Sequence, residues 1–98
     1  MTGSGAVGEP LVRDFEIINQ RGLHARASAK FVSLVSGFDA EVKVEKDGVT
    51  VGGTSIMGLM MLAASPGCHI RVSASGNDAT SVMAAVEVLI STRFGEEA

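Results

Sequence analysis

The stretch VRDFEIINQRGLHARASAKFVSLVSG, residues 12–37, is the most informative about architecture, because its hydrophobic spacing changes once along its length. In the first part Phe15 and Ile17 alternate with acidic residues, which is the spacing of a half-buried β-strand. From Ala25 to Ser36 the apolar residues recur one helical turn apart, and Gly37 follows as a typical helix terminator. The stretch therefore predicts a strand, a short turn and an amphipathic helix.

In the rest of the chain, segments with the apolar spacing of a strand again alternate with segments that have the spacing of a helix. The dipeptide Asp47-Gly48 indicates a hairpin between the second and third strands. Each strand has one apolar and one polar face, so the sheet is expected to be covered on one side only. The order is β-α-β-β-α-β-α. It predicts an α+β fold, an open-faced sandwich in which three helices cover one face of a four-stranded antiparallel sheet.

The composition limits the class of protein and the number of domains. The chain has 98 residues, 46% of them apolar and 19% charged, which fits one folded domain. The Gly-rich residues 1–10 are expected to form a flexible N-terminal tail without the pattern of a secretory signal, and residues 11–94 the domain. Residues 95–98 are expected to be a C-terminal tail, with the chain fraying from Phe94 onwards.

Charge and cysteine content point to an intracellular protein. The net charge is −3 and there is no Trp or Tyr, which argues against nucleic acid as a partner. Cys68 has no second cysteine to pair with, which favours a reducing, cytoplasmic location. The longest apolar run, residues 56–64, is far shorter than the roughly 20 residues that span a bilayer. No membrane insertion is expected.

His24 carries the chemistry that the sequence suggests. If a helix begins at Ala25, His24 is its N-cap, where unpaired N–H groups and the positive end of the helix dipole bind anions. The same dipole disfavours the imidazolium and keeps a neutral, nucleophilic ring near pH 7. A phosphoryl group on this ring would lie against the N–H groups of Ala25 and Arg26, and the Arg26 guanidinium could bind its oxygens. On spacing alone, a plain surface cap is the commoner explanation.

Two segments together resemble a known family. GLHARASAKFV, residues 22–32, and GGTSIMGLMMLAASPG, residues 52–67, resemble the histidine-containing phosphocarrier protein (HPr) of the bacterial phosphotransferase system and its nitrogen-branch relatives. The resemblance implies that Enzyme I, using phosphoenolpyruvate, phosphorylates His24 on Nδ1 and that an EIIA-type protein then accepts the group. It also implies that Arg26 assists at the phosphoryl group. No metal or cofactor is expected in this domain, because in-line phosphoryl transfer depends on positioning and on donors aimed at the phosphoryl oxygens. Ala27 stands where the family commonly has proline, but no ligand atom is lost.

Ser55 has two interpretations that the sequence leaves open. Its hydroxyl can cap the short helix that follows. The family resemblance instead implies a regulatory phosphosite for an HPr kinase/phosphorylase, where a phosphate would add about two negative charges. Thr54 stands where many relatives have a lysine or arginine.

The short helix after Ser55 has more apolar residues than one stripe can bury. Ile56, Met57 and Met60 are therefore expected to be exposed. The resemblance implies that they dock partner proteins, for which flexible methionine side chains are suited.

Other chemistries are poorly supported. Cys68 and His69 are adjacent on the fourth predicted strand, so they should point to opposite faces, Cys68 inwards, and cannot together bind a metal. No hydrolase or nucleotide-binding motif occurs, and no carboxylate close in sequence could orient His24. The remaining rival is a regulatory protein-binding module of the same fold without phosphotransfer. A carrier that serves only regulatory proteins is also left open. In either carrier role the chain would be a stoichiometric intermediate rather than a stand-alone enzyme.

Overall fold

A computed structural model describes residues 9–96, and the elements follow the predicted order. A single 3-10 turn follows the last helix. The bounds are β1 Leu11–Glu16, α1 Ala25–Ser36, β2 Glu41–Lys46, β3 Val49–Gly52, α2 Ile56–Met61, β4 His69–Ser75, α3 Ala79–Ser91 and the 3-10 turn Arg93–Gly95.

The four strands form one antiparallel sheet in the order β1-β4-β2-β3. The strand that comes last in the chain lies inside the sheet, where Ile70 of β4 pairs with Phe15 of β1 and Val72 of β4 pairs with Val44 of β2. Because β4 joins the N-terminal strand to the hairpin, the sheet brings together segments from both ends of the stretch between Leu11 and Ser75.

The core lies between the helices and one face of the sheet, which confirms the predicted α+β open-faced sandwich. The largest fully buried side chains come from both layers: Ile17, Val44, Ile70 and Val72 from the sheet side and Phe31, Leu59, Val82 and Val86 from the helices. The other sheet face is exposed, and there Arg71 pairs with Asp14 at 2.9 Å between Nε and Oδ1. None of the helices in residues 9–96 has the length and hydropathy that crossing a membrane requires.

The C-terminal end of the described chain is packed, so the expected fraying from Phe94 is wrong. The side chain of Phe94 is only 2% exposed and belongs to the core. Arg93 and Phe94 both have a positive φ, 58° and 55°, which turns the chain back towards α1 after α3. There the carbonyl of Phe94 accepts a hydrogen bond from Nζ of Lys30 at 2.7 Å. The predicted N-terminal tail lies mostly outside the described residues, and the domain boundaries remain predictions.

Cys68 does not point into the core from β4 as expected. The strand begins one residue later, and Cys68 is half-buried in the turn before it. There its N–H donates to the carbonyl of Ser65 at 3.0 Å, and its Sγ lies 3.4 Å from Ser65 Oγ. The alternation of apolar residues continues into a turn here, so periodicity alone misplaces the strand start.

Candidate functional site

His24 is the N-cap of α1, as the sequence predicts. Its backbone is extended, with φ −73° and ψ −177°, and its carbonyl accepts the N–H of Ser28 at 2.8 Å. Its Nδ1 accepts a hydrogen bond from the backbone N–H of Arg26 at 3.1 Å. The imidazole therefore takes the place of the serine or aspartate that usually satisfies an N-terminal amide.

A close backbone approach places His24 at this helix end. The N–H of Leu23 donates to the carbonyl of Ala64, just after α2, at 2.9 Å. Gly22 has φ +65°, and a Cβ on it would lie 2.3 Å from that same carbonyl oxygen, so only glycine fits. Buried Ser28 donates from Oγ to the carbonyl of Leu23 at 3.2 Å and ties the turn to the helix. These contacts fix the entry of the chain into α1 and join it to the end of α2.

The second ring nitrogen of His24 contacts a carboxylate that sequence reasoning missed. Oε2 of Glu96 lies 3.1 Å from Nε2, although the two residues are 72 positions apart. The side chains are 18% and 14% exposed, respectively. Glu96 also accepts from Nδ2 of Asn19 at 3.3 Å and from the N–H of Arg21 at 3.2 Å. The only hint in the sequence is the acidic pair after the last helix, whose position in space depends on the fold.

The two contacts of the imidazole agree on one tautomer. A carboxylate can only accept a hydrogen bond, so Nε2 facing Glu96 carries the ring proton. Nδ1 accepts from the N–H of Arg26, so it holds the lone pair. The geometry thus assigns the neutral ring a proton on Nε2 and a nucleophilic electron pair on Nδ1.

Glu96 is held in its charged form by its neighbours. Burial raises the pKa of its carboxyl group, but hydrogen bonds from the Asn19 amide, the Arg21 N–H, the His24 ring and the Gln20 N–H outweigh this effect. The pKa of Glu96 therefore lies below the ordinary glutamate range. At neutral pH a full negative charge faces Nε2.

His24 lies in a cleft that is more basic than the protein as a whole. The cleft has a volume of about 420 Å³ and is lined mainly by the first turns of α1 and by the C-terminal segment. Three cationic side chains, Arg21, Arg26 and Lys30, and one anionic side chain, Glu96, line it, in a chain of net charge −3. Such a cleft attracts an anion. The exposed Arg26, predicted as a phosphoryl ligand, is thus in the same cleft as His24, and Ala25 provides the first N–H of the helix.

Ser55 is the N-cap of α2, where its Oγ accepts the N–H of Gly58 at 2.9 Å. This is the structural role that the sequence predicts. Ser55 and Thr54 are both exposed. Neither lines the cleft at His24. Ser55 therefore lies on the exposed surface, outside the cleft.

An apolar surface on α2, here called the α2 patch, consists of Ile56, Met57, Met60 and Met61, which are 39%, 69%, 40% and 77% exposed. The predicted exposure of the first three is confirmed. Met61 was missed, although it lies one turn from Met57 and helical spacing puts both on one face. Leu59 and Leu62 are buried and anchor the helix.

Cys68 and His69 are adjacent, with Cys68 just before β4 and His69 its first residue. Within the described part of the chain, no three His, Cys, Asp or Glu side chains come together as a metal site requires. His69 is exposed at the start of β4.

Fold and site together define a class of protein: an open-faced α+β sandwich that presents a histidine at a helix N-terminus inside a basic cleft. The family model "PTS HPr component phosphorylation site" matches residues 11–92. The chain therefore belongs to the HPr family, the phosphocarrier proteins of the phosphotransferase system.

Similar proteins support this membership. The phosphocarrier protein HPr of Neisseria meningitidis is 50% identical over 86 residues, which is 88% of this chain and 97% of the relative. HPr of Cupriavidus necator is 48% identical over the same shares of both chains. The crystal structure of HPr-C-His from Thermoanaerobacter tengcongensis has a TM-score of 0.85 and 42% identity, and the match covers 90% of this chain and 99% of that one.

Proposed function

We propose that this protein accepts a phosphoryl group on Nδ1 of His24 from phosphorylated Enzyme I, and so ultimately from phosphoenolpyruvate, and passes it to an EIIA-type protein. The observation that carries the proposal is the pair of contacts at the ring. Glu96 at Nε2 and the N–H of Arg26 at Nδ1 leave the nucleophilic electron pair at a helix N-terminus, inside a basic cleft. Family membership supports the same role.

The chemistry needs only groups that the two docked proteins supply. The Nδ1 lone pair attacks phosphorus, the new N–P bond forms, and the bond to the donor breaks with its electron pair going to the donor. The proton on Nε2 stays in place, so the doubly substituted ring gains a positive charge. The carboxylate of Glu96, 3.1 Å away, stabilises that charge. Transfer to the acceptor reverses these steps.

The helix end then binds the transferred group. The N–H of Arg26, which contacts Nδ1 in the free protein, is placed to donate to a phosphoryl oxygen instead, together with the N–H of Ala25. The guanidinium of Arg26 supplies further donors in a planar fork. These donors are present before the reaction, so charge that develops on the oxygens is stabilised without rearrangement of the backbone.

The α2 patch is proposed to dock Enzyme I and the EIIA-type acceptor in turn, with Ile56, Met57 and Met60 as its principal contacts. The patch is exposed, and the loop after α2 is tied to the residue before His24 by the hydrogen bond from the N–H of Leu23 to the carbonyl of Ala64. Unbranched methionine side chains adapt to differently shaped partners. A carrier that meets two partners with one surface needs this property.

Ser55 is proposed as the regulatory phosphosite of an HPr kinase/phosphorylase. A phosphate at this N-cap could accept the N–H of Gly58 as the hydroxyl does, so the helix would be retained. About two negative charges would nevertheless be added beside Ile56 and Met57. Docking of Enzyme I would weaken as a result. We further propose a cytoplasmic location and a single phosphocarrier domain that begins near residue 11.

Incubation with active Enzyme I and phosphoenolpyruvate tests the proposal. The protein is expected to gain the mass of one phosphoryl group, which is lost again in acid. His24→Ala should abolish the gain, whereas His69→Ala should leave it intact, and these are the two histidines of the chain. If the native protein gains no mass while the same Enzyme I phosphorylates another HPr, the chain is a binding module without phosphotransfer.

A further inference from the structure

The C-terminal segment, residues 93–96, is attached to the domain at three points. The ring of Phe94 is buried in the core. The carbonyl of Phe94 accepts a hydrogen bond from Nζ of Lys30 at 2.7 Å. The carboxylate of Glu96 accepts hydrogen bonds from the loop before α1 and contacts His24. We call this segment the C-terminal clasp.

The clasp reaches His24 only through an unusual backbone path. Arg93 and Phe94 are both in the left-handed region, which disfavours residues with a Cβ. Two consecutive residues of this kind persist only where other contacts fix them. The carbonyl of Phe94 faces a charged ammonium, and hydrogen bonds to charged groups are stronger than neutral ones. Lys30 is therefore the contact from α1 that fixes this turn.

Gly95 of the clasp lies close to the amine of Lys30. A Cβ on Gly95 would lie 3.0 Å from Nζ of Lys30, which is tighter than ordinary van der Waals contact. Lys30 is otherwise exposed, and its side chain is not part of the core. Loss of the amine should thus free the clasp without disturbing the packing of α1.

We propose that Lys30 is a positioning residue for phosphoryl transfer: it holds the C-terminal clasp closed and thereby keeps Glu96 on Nε2 of His24. The inference rests on the proposed function of His24 and adds a residue on α1 that acts through Glu96 rather than on the phosphoryl group. Without Lys30 the clasp opens, and the N–H of Arg26 at Nδ1 is left as the one described contact that favours the proton on Nε2. A part of the protein then has its lone pair on the wrong nitrogen for attack.

The test compares Lys30→Met with Lys30→Arg, and uses Lys43→Met on the exposed sheet face as the matched control. The ¹⁵N spectrum of the His24 ring reports the tautomer at a pH where the ring is neutral. For Lys30→Met we expect a mixture of tautomers and a roughly tenfold slower phosphorylation at saturating Enzyme I, with half-saturation at an unchanged Enzyme I concentration. Lys30→Arg should restore most of the native tautomer population and most of the native phosphorylation rate. Lys43→Met should match the native protein in both.

Two results would overturn the inference. One is a native ring spectrum together with a native rate in Lys30→Met. The other is a slower rate with a native ring spectrum, which would make Lys30 a direct ligand of the phosphoryl group. Gly95→Ala strains the clasp from its own side, through both the φ of +72° and the approach of the new Cβ to Nζ of Lys30, and should shift the ring spectrum in the same direction. If the native protein accepts no phosphate at all, the proposed function fails, whereas the ring spectra still decide whether Lys30 holds the clasp.

Discussion

The carboxylate of Glu96 lies 3.1 Å from Nε2 of His24, across 72 positions of sequence. This contact balances the other influence on the ring, the N-terminus of α1, which disfavours positive charge. The helix end suits the negative phosphoryl oxygens, and the carboxylate suits the positive ring that carries them. The two sides of one imidazole are therefore matched to the two opposite charges of a phosphohistidine.

Glu96 should make the free energy of unfolding sensitive to acid. Because the pKa of Glu96 is lowered in the folded protein, its contribution to stability is fully present above the ordinary glutamate value of about 4.3 and is lost as the pH falls through the lower, folded value. The stability difference between the native protein and Glu96→Gln should therefore shrink below about pH 4. Urea unfolding across this pH range measures it. A difference that stays constant into acid would contradict the assigned contacts.

Arg26→Ala should slow phosphorylation of His24 roughly 100-fold, because a preformed donor to the phosphoryl oxygens is lost. Arg26→Lys should recover only part of the rate, since an ammonium lacks the planar fork. Stopped-flow or quench-flow transfer from phosphorylated Enzyme I gives the rates. The control is Arg71→Ala, which removes the same charge from the exposed face of the sheet, away from the helices, where Arg71 pairs with Asp14. An equal loss in this control would indicate a general effect of charge.

Substitutions of Ser55 should separate stability from docking. Ser55→Ala removes the oxygen that accepts the N–H of Gly58 and should lower the free energy of unfolding by about 1 kcal/mol with a native transfer rate. Ser55→Asp keeps a capping oxygen, so stability should be retained, but the added charge should raise the Enzyme I concentration needed for half-saturation. Thr80→Asp at the start of α3 is the control for charge alone. The docking role is excluded if Ser55→Asp and Thr80→Asp behave alike.

Gly22→Ala should destabilise the protein by roughly 2 kcal/mol or more, because a Cβ at φ +65° would collide with the carbonyl oxygen of Ala64. Gly48→Ala is the matched control. Gly48 has φ +84°, but a Cβ added to it would meet no atom within 4 Å, so only the conformational cost of about 1 kcal/mol applies. Urea denaturation gives both values. Equal losses would mean that the approach of Gly22 to Ala64 is not tight in solution.

Local patterns predicted the parts of this fold that depend on local physics. The position of His24 as an N-cap, the capping by Ser55 and the burial of Phe15 and Ile17 follow from spacing and from the needs of helix ends and strands. The resemblance added the roles of His24 and Arg26.

Contacts between distant segments could not be predicted in the same way. Glu96 lies at His24 because β4 is placed between β1 and β2 and α3, which follows β4, packs against the sheet. The left-handed turn at Arg93 and Phe94 was not predictable either, because neither position is a glycine, the residue that usually signals such a turn. For the same reason the packed residues after α3 looked like a fraying end.

The nitrogen of His24 that carries the phosphoryl group is the decisive quantity to measure. After phosphorylation by Enzyme I and phosphoenolpyruvate, ¹⁵N and ³¹P spectra of histidine-labelled protein identify the substituted nitrogen. We predict phosphorus on Nδ1 and a protonated Nε2 whose signal changes in Glu96→Gln. Phosphorus on Nε2, or a phosphorylated residue other than His24, would refute the proposed transfer chemistry.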